Sequence, residues 1–378
     1  MECKNTTNAT LGFERQLLLW MWNYHIAAYN IAAMIFSGLI MFVGVIGNGF
    51  VVYAYGMKFK RTTANTYILW LAIFDLACCC LSIPFEIYVI GNPVLFDNDI
   101  LCRVFRSVSM LTYACEGLML MCIALDRYQK ICSPIPYSNA NPKIRVLILI
   151  TTAIVISWTS ACIYGKSTVK NNCIPGLVGS TCAIADDVQF SMFVGLFYGF
   201  LLTVFVTSFC IMFFLYLRVF KRIWQWKRSQ IQNTNIPRID SGDSLSSQGT
   251  CTRDSLTIYE VRRSSSLFSI SRDCDHVMLN EIQWSSHSKL HRKAQLTKTT
   301  VILSAVTLSF LFSYLPYLLS QILLKSSVVN IEDLSPTSRA FYEVLVKTYC
   351  INNATNPIIY LIYNKQFRLT VKELFIKP

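Results

Sequence analysis

Seven stretches of this chain, at about 26–57, 65–90, 103–128, 143–164, 188–224, 293–324 and 339–363, are long and apolar enough to cross a lipid bilayer. A hydrocarbon core about 30 Å thick is spanned by roughly 20 residues of helix. Lipid offers the backbone no hydrogen-bond partners, so such a run must satisfy its own N–H and C=O groups and folds as an α-helix. The pattern predicts an all-α membrane protein, a seven-transmembrane helix bundle. Composition agrees: 15% of the residues are charged and 53% are hydrophobic, where soluble domains carry roughly a quarter charged.

The linkers set the orientation. Net charge is +13, and the basic residues gather in alternate linkers. Lys58, Lys60 and Arg61 follow the first span, and Arg127, Lys130, Lys143 and Arg145 flank the next linker on that side. Lys227, Arg228, Arg262, Arg263, Arg292 and Lys293 lie in or beside the long linker at 226–292. Positive charge marks the cytoplasmic face. Residues 1–25 are therefore expected as an extracellular tail and 26–225 as spans one to five. A disordered third intracellular loop is expected at 226–292, spans six and seven at 293–363, and a short cytoplasmic tail at 364–378. Such a multi-pass chain belongs in the plasma membrane. Sequons at Asn5 and Asn8 suit a glycosylated exterior tail, whereas the one at Asn353 falls inside the last span and is read as chance. No cleavable leader is read at the start, so the first span acts as its own targeting signal. The long loop has the polar composition of disorder. Its Arg262-Arg263-Ser264-Ser265-Ser266 is either a basophilic kinase target or a plain solvated linker.

Several function classes lose support. The basic charge forms no face interleaved with solvent-facing aromatics, so no nucleic-acid partner is expected. Cys78, Cys79, Cys80, Cys115, Cys122, Cys210 and Cys350 sit in apolar runs, where a thiol is a small hydrophobe. No Cys-x-x-Cys pair has a matching partner, so no zinc site is expected. The histidines, His25, His276, His287 and His291, lie outside the spans and pair with no nucleophile, which argues against an enzyme. A transporter or channel would show half-repeats of broken helices or a ring-forming filter, and neither is evident.

Polar residues inside the spans carry the specific signal. Asn48 follows Gly47 in the first span, and Asp75 closes Leu-Ala-Ile-Phe-Asp in the second. Asp126-Arg127-Tyr128 ends the third, with Cys102 about one membrane length away. Trp158 lies in the fourth, Phe310 and Pro316 in the sixth. Asn356-Pro357-Ile358-Ile359-Tyr360 ends the seventh, and Asn364-Lys365-Gln366-Phe367-Arg368 starts a short amphipathic helix. An intramembrane charge is costly and marks function by default. In this order, and at these depths, the residues resemble the class A (rhodopsin-like) G-protein-coupled receptors over nearly the whole membrane portion.

The resemblance implies a receptor that passes binding of an extracellular ligand to a heterotrimeric G protein, with arrestin and kinases acting at the third loop. Asp126 would hold Arg127 at rest, and Tyr216 and Tyr360 would swing toward Arg127 on activation, a two-state shift driven by agonist. Asp75, Asn352 and Asn356 would line a sodium pocket, to which this chain adds Glu116. Two close carboxylates in a low dielectric do not both stay ionised alone, so one sodium ion or one proton is expected between them; no other cofactor is implied. Cys102 would bridge to Cys182 or Cys173 of the second outer loop. Cys182, nearer the fifth span, is favoured, leaving Cys173 free or paired with Cys3.

Departures from the family pattern bear on the ligand. Ser109 stands where amine receptors carry an aspartate, which disfavours an amine. Cys350 stands at the retinal-lysine position of opsins, with Lys347 a turn too far outward, which disfavours a light sensor. Tyr314 replaces the usual tryptophan before Pro316, Ser208 stands near the usual fifth-span proline, and Leu296 and Thr300 occupy the region of the acid that often locks Arg127. Glu86, Arg103, Arg106, Glu343 and Lys347, with Tyr113, Tyr317 and Gln321, make a mixed polar vestibule. It suits a peptide, most simply a neuropeptide, with a small non-amine ligand the alternative. Arg106 is expected to pair with Glu86.

Overall fold

A computed structural model describes residues 12–133, 141–171, 173–189, 191–234, 272–325 and 334–376. Asn5, Asn8, Cys3 and the serine-rich segment near 262 lie outside the described residues. The chain divides into two compact units, 1–222 with 301–378, and 223–300.

The first unit is a helical bundle. Its elements are α1 (Gly12–Tyr53), α2 (Thr63–Ala77) and α3 (Ile83–Gly91), then α4 (Asp99–Cys132), α5 (Pro142–Ile163), most of α6 (Met192–Thr234) and the C-terminal part of α7 (Arg272–Lys325). The last crossing is α8 (Pro336–Val346), a tight 3-10 turn (Thr348–Ile351) and α9 (Asn352–Tyr363), followed by α10 (Lys365–Ile376). Among the described residues, six helical runs are long and apolar enough to cross a membrane. The seventh crossing is interrupted just after Lys347, which is why it falls short of that length as one piece. A π-helical widening at Cys78–Ser82 likewise separates α2 from α3 within the second crossing.

Side chains fix the helix starts. The first amides of a helix lack internal partners, and Thr62, Asn98, Asn141 and Ser335 accept from Asn65, Leu101, Lys143 and Ser338 N–H respectively, with Pro142 and Pro336 opening α5 and α8. The helices outrun the expected spans. Helix α1 begins at Gly12, inside the expected tail, and α6 and α7 extend to Thr234 and back to Arg272, inside the expected loop. Glu, Gln, Lys and Arg are good helix formers, so a helix does not stop where apolarity stops. The second unit holds the extensions of α6 and α7, and within it Thr300 is buried and donates to the Leu296 carbonyl at 2.7 Å.

Small residues set the closest approach. A Cβ on Gly47 of α1 would lie 2.8 Å from the Pro357 ring, and one on Gly44 would lie 3.2 Å from the Asn353 carbonyl. Asn48, wholly buried, donates to Gly44 O at 3.0 Å and Asn353 O at 2.7 Å, stitching α1 to α9. Close packing through small residues plus interhelical hydrogen bonds is how helices associate in lipid. Large apolar side chains such as Phe42, Val155, Trp158 and Phe312 point outward instead. Trp158, a signature residue in the sequence, is 73% exposed and so belongs to the lipid-facing surface rather than the core.

One end of the bundle carries an antiparallel hairpin, β1 (Tyr164–Lys170) with β2 (Val178–Ile184), in the register Lys166↔Cys182. Gly176, at φ 82°, takes the left-handed turn that glycine favours. Cys182 is disulfide-bonded to Cys102 at the start of α4, as favoured over Cys173. Asp186 accepts from Thr168 N–H at 3.1 Å and Ser167 Oγ at 3.1 Å. Those contacts hold the carboxyl below its ordinary range. Ser180 exchanges backbone hydrogen bonds with Val94 and Phe96, fastening the hairpin to the linker between α3 and α4.

Candidate functional site

Three clusters of buried polar side chains run along the bundle from the hairpin end to the Arg127 end.

The first lies under the hairpin. Glu86 on α3 is buried and accepts from Lys347 Nζ at 2.9 Å, and it is also hydrogen-bonded to Arg106 Nη1. The expected Arg106–Glu86 pair therefore forms, but Lys347 shares the carboxylate, which spacing alone does not reveal. Arg106 Nη2 also donates to the Cys182 carbonyl at 3.2 Å, and its guanidinium lies over the Tyr164 ring at 5.5 Å and the Phe85 ring at 5.8 Å. Ser109 is buried one turn along α4, and its Oγ has no partner among the described residues. Tyr113, Tyr317 and Tyr349 form an aromatic floor, with Tyr349 5.3 Å from Tyr113 and 5.2 Å from Tyr317. Glu343 is partly exposed and makes no ion pair among the described residues. Gln321 lies on α7, but its side chain is outside the described set. Tyr349 went unread in the sequence, where it is one more aromatic in an apolar run.

The second cluster is at mid-bundle. Asp75 accepts from Asn356 Nδ2 at 2.8 Å, and Glu116 from Asn352 Nδ2 at 3.3 Å. Asn353, with its amide nitrogen turned toward Glu116, donates to it at 2.9 Å. Asp75, Glu116, Asn352 and Asn356 are all essentially buried, and the side-chain oxygens of both Asn352 and Asn356 lack partners among the described residues. Two carboxylates and two free amide oxygens form an acceptor-rich set of hard donors, the kind that suits a hard cation. Asn353, dismissed with its chance sequon, is part of this cluster.

Phe310 lies 4.4 Å from Tyr314, and Tyr314 lies 5.9 Å from Phe205 and 5.9 Å from Tyr349, ring to ring, which joins it to the aromatic floor of the first cluster. Pro316 sits inside α7 and Pro357 inside α9, where each removes a helical hydrogen bond.

The third cluster is at the far end. Arg127 is only 1% exposed and is paired with Asp126, which also holds Lys130 Nζ at 3.0 Å. Lys130 is one turn beyond Asp126 and was read in the sequence only as a loop charge. Tyr128 packs against the core. Tyr216 shares a 3.0 Å hydrogen bond with Thr307 across α6 and α7. Tyr360 is buried beside Tyr55 and Phe367, its hydroxyl without a partner among the described residues. Neither tyrosine has a hydrogen bond to Arg127 here. This is the arrangement in which Arg127 is held by its neighbour.

Comparison with known proteins agrees with this layout. The family model described as "7 transmembrane receptor (rhodopsin family)" matches residues 47–360. The 5-hydroxytryptamine receptor 1A-alpha of Takifugu rubripes is 25% identical, with 92% of this chain and 88% of that protein covered. The 5-hydroxytryptamine receptor 1E of Homo sapiens is 26% identical, with 82% and 83% covered. The C5a anaphylatoxin chemotactic receptor 1 of Oncorhynchus mykiss is 31% identical over a shorter stretch, 29% of this chain and 31% of that protein.

Proposed function

The chain belongs to the rhodopsin family of seven-transmembrane receptors, and from that premise we propose that it is a plasma-membrane receptor for an extracellular peptide, most simply a neuropeptide. In this reading the N-terminus and the hairpin face outward, and the Arg127 end meets a heterotrimeric G protein. Arrestin and kinases would act on the long segment between α6 and α7.

The observation that carries the reading is the pairing of two buried charge clusters at opposite ends of one bundle. A mixed-sign cluster of Glu86, Arg106 and Lys347 lies under a disulfide-tethered hairpin, and a caged Arg127 lies at the other end. Separated charges of both signs, with Glu343 beside them, match a peptide that presents several charged groups at once. Agonist bound at the first cluster would favour the state in which Arg127 leaves Asp126, with Tyr216 and Tyr360 as its new partners. The Asp75–Glu116 cluster between them would take up a sodium ion or a proton and hold the resting state.

A second reading is favoured by two relatives named for 5-hydroxytryptamine, which makes a small amine the competing ligand class. Against it, Ser109 supplies no carboxylate, and Glu86 is already shared by two cations. A peptide-library screen in cells carrying a promiscuous G protein tests the proposal, with biogenic amines as a parallel arm. Peptide hits whose response disappears in Arg127→Ala support it. An amine agonist with no peptide hit would replace it.

A further inference from the structure

Resting on the receptor reading, we propose that the ligand presents a carboxylate to Arg106 and Lys347, with Glu86 serving as the internal counter-ion that the ligand supplements. The charges decide the sign. Glu86 is buried with two cations against its one negative charge: Lys347 on one oxygen and Arg106 on the other. Glu343 and Arg339, one and two turns before Lys347, add one charge of each sign and cancel. Arg103 is paired with Asp99. The cluster therefore carries one unbalanced positive charge in a low-dielectric setting, where an unpaired charge is expensive. An arriving anion converts two-against-one into two-against-two. An arriving amine makes it three-against-one.

Donor capacity points the same way. Arg106 spends Nη1 on Glu86 and Nη2 on the Cys182 carbonyl, while its Nε has no partner among the described residues. Lys347 is a three-donor group with a single partner, Glu86, among the described residues. Ser109 Oγ, buried and without a partner among the described residues, stands one turn from Arg106 on the same helix face. These are spare donors around excess positive charge, and a two-oxygen anion is their natural complement. The tyrosines below, Tyr113, Tyr317 and Tyr349, offer ring faces to an apolar or aromatic body attached to that anion.

The test uses two probes with one ring system and opposite charge, indole-3-acetate and tryptamine. Each is titrated into the purified full-length receptor in lipid nanodiscs, and binding is read from thermal unfolding. Indole-3-acetate is expected to bind at least about tenfold more tightly than tryptamine. Lys347→Met should weaken it by about tenfold or more, the scale of losing one member of a charge-assisted contact. Glu86→Gln should tighten it, and a gain of binding cannot arise from misfolding. Tryptamine binding as well as the acid, no binding of the acid at millimolar concentration, or a Glu86→Gln variant that binds the acid no better would overturn the proposal. Tryptophan-terminated tripeptides, as free acids and as C-terminal amides, separate the two sources of the carboxylate. Tighter binding of the free-acid peptide than of indole-3-acetate assigns a peptide terminus, and the reverse assigns a small acid. Nucleotide exchange on a G protein is measured separately. Its absence would sink the receptor reading while leaving the carboxylate result standing.

Discussion

Asp126 holds two cations at once, Arg127 and Lys130, and it is wholly buried. Both cations come from α4 itself, one adjacent to Asp126 and one a turn away. In the proposed switch a second restraint would act on Tyr216, the partner that reading gives Arg127: it is tied to Thr307 at 3.0 Å. One buried hydrogen bond is worth about 1 kcal/mol net, so Thr307→Val is expected to raise ligand-free signalling about fivefold at matched surface expression, while Thr307→Ser leaves it unchanged. Equal signalling in the valine variant and the parent would remove Thr307 from the switch. At mid-bundle, two carboxylates beside amide oxygens that have no partner among the described residues should take up a cation or a proton. Glu116→Ser is therefore expected to flatten the dependence of agonist potency on sodium and pH, and an unaltered dependence would end that idea. Asp75, Glu116 and Arg127 were legible in the sequence because a charge inside an apolar run is conspicuous. Thr307, Lys130 and Asn353 were not, because their roles depend on which helix faces them. A hydroxyl that ordinarily bonds its own helix, as Thr307 also does to Leu303 at 3.1 Å, gives no sign of a second partner.

At the scale of elements, the seam between α1 and α9 has the least slack. A Cβ at Gly47 would meet the Pro357 ring at 2.8 Å, and a ring fixed to its own backbone cannot rotate away. Gly47→Ala is expected to cost about 1–3 kcal/mol, the usual range for overpacking. It would be read as a lower unfolding temperature of the purified receptor and reduced surface expression. Unchanged stability would mean that α1 and α9 can separate freely. Most helices were legible as elements because the bilayer fixes their length. Their ends were less so. Apolarity reports where lipid stops, whereas α1, α6 and α7 continue on helix propensity into polar sequence. The β1–β2 hairpin carried no strong alternation, and it is held in place by a disulfide and by backbone bonds to Val94 and Phe96. Those are tertiary constraints that no local pattern records.

For the whole molecule, seven crossings and family membership could both be read from polar residues at fixed depths in apolar runs, while the ligand could not. Ligand chemistry depends on how Glu86, Arg106 and Lys347, from three separate crossings, converge on one another. One expectation concerns the balance of states. Leu296 and Thr300 stand where the resemblance would put a second acid to hold Arg127, and neither is a carboxylate. Ligand-free second-messenger output above that of untransfected cells, at matched surface expression, is the expected result. Output at background level would mean that the Asp126 cage suffices.

The break after Lys347 has a mechanical meaning. The last crossing is two rods joined by a four-residue collar, Thr348–Ile351. One rod ends in the ammonium beneath the hairpin, and the other begins with the amides that face Asp75 and Glu116. A tug on that ammonium by an incoming molecule would turn the lower rod about its collar like a key in a lock, moving Asn352, Asn356 and Tyr360 together.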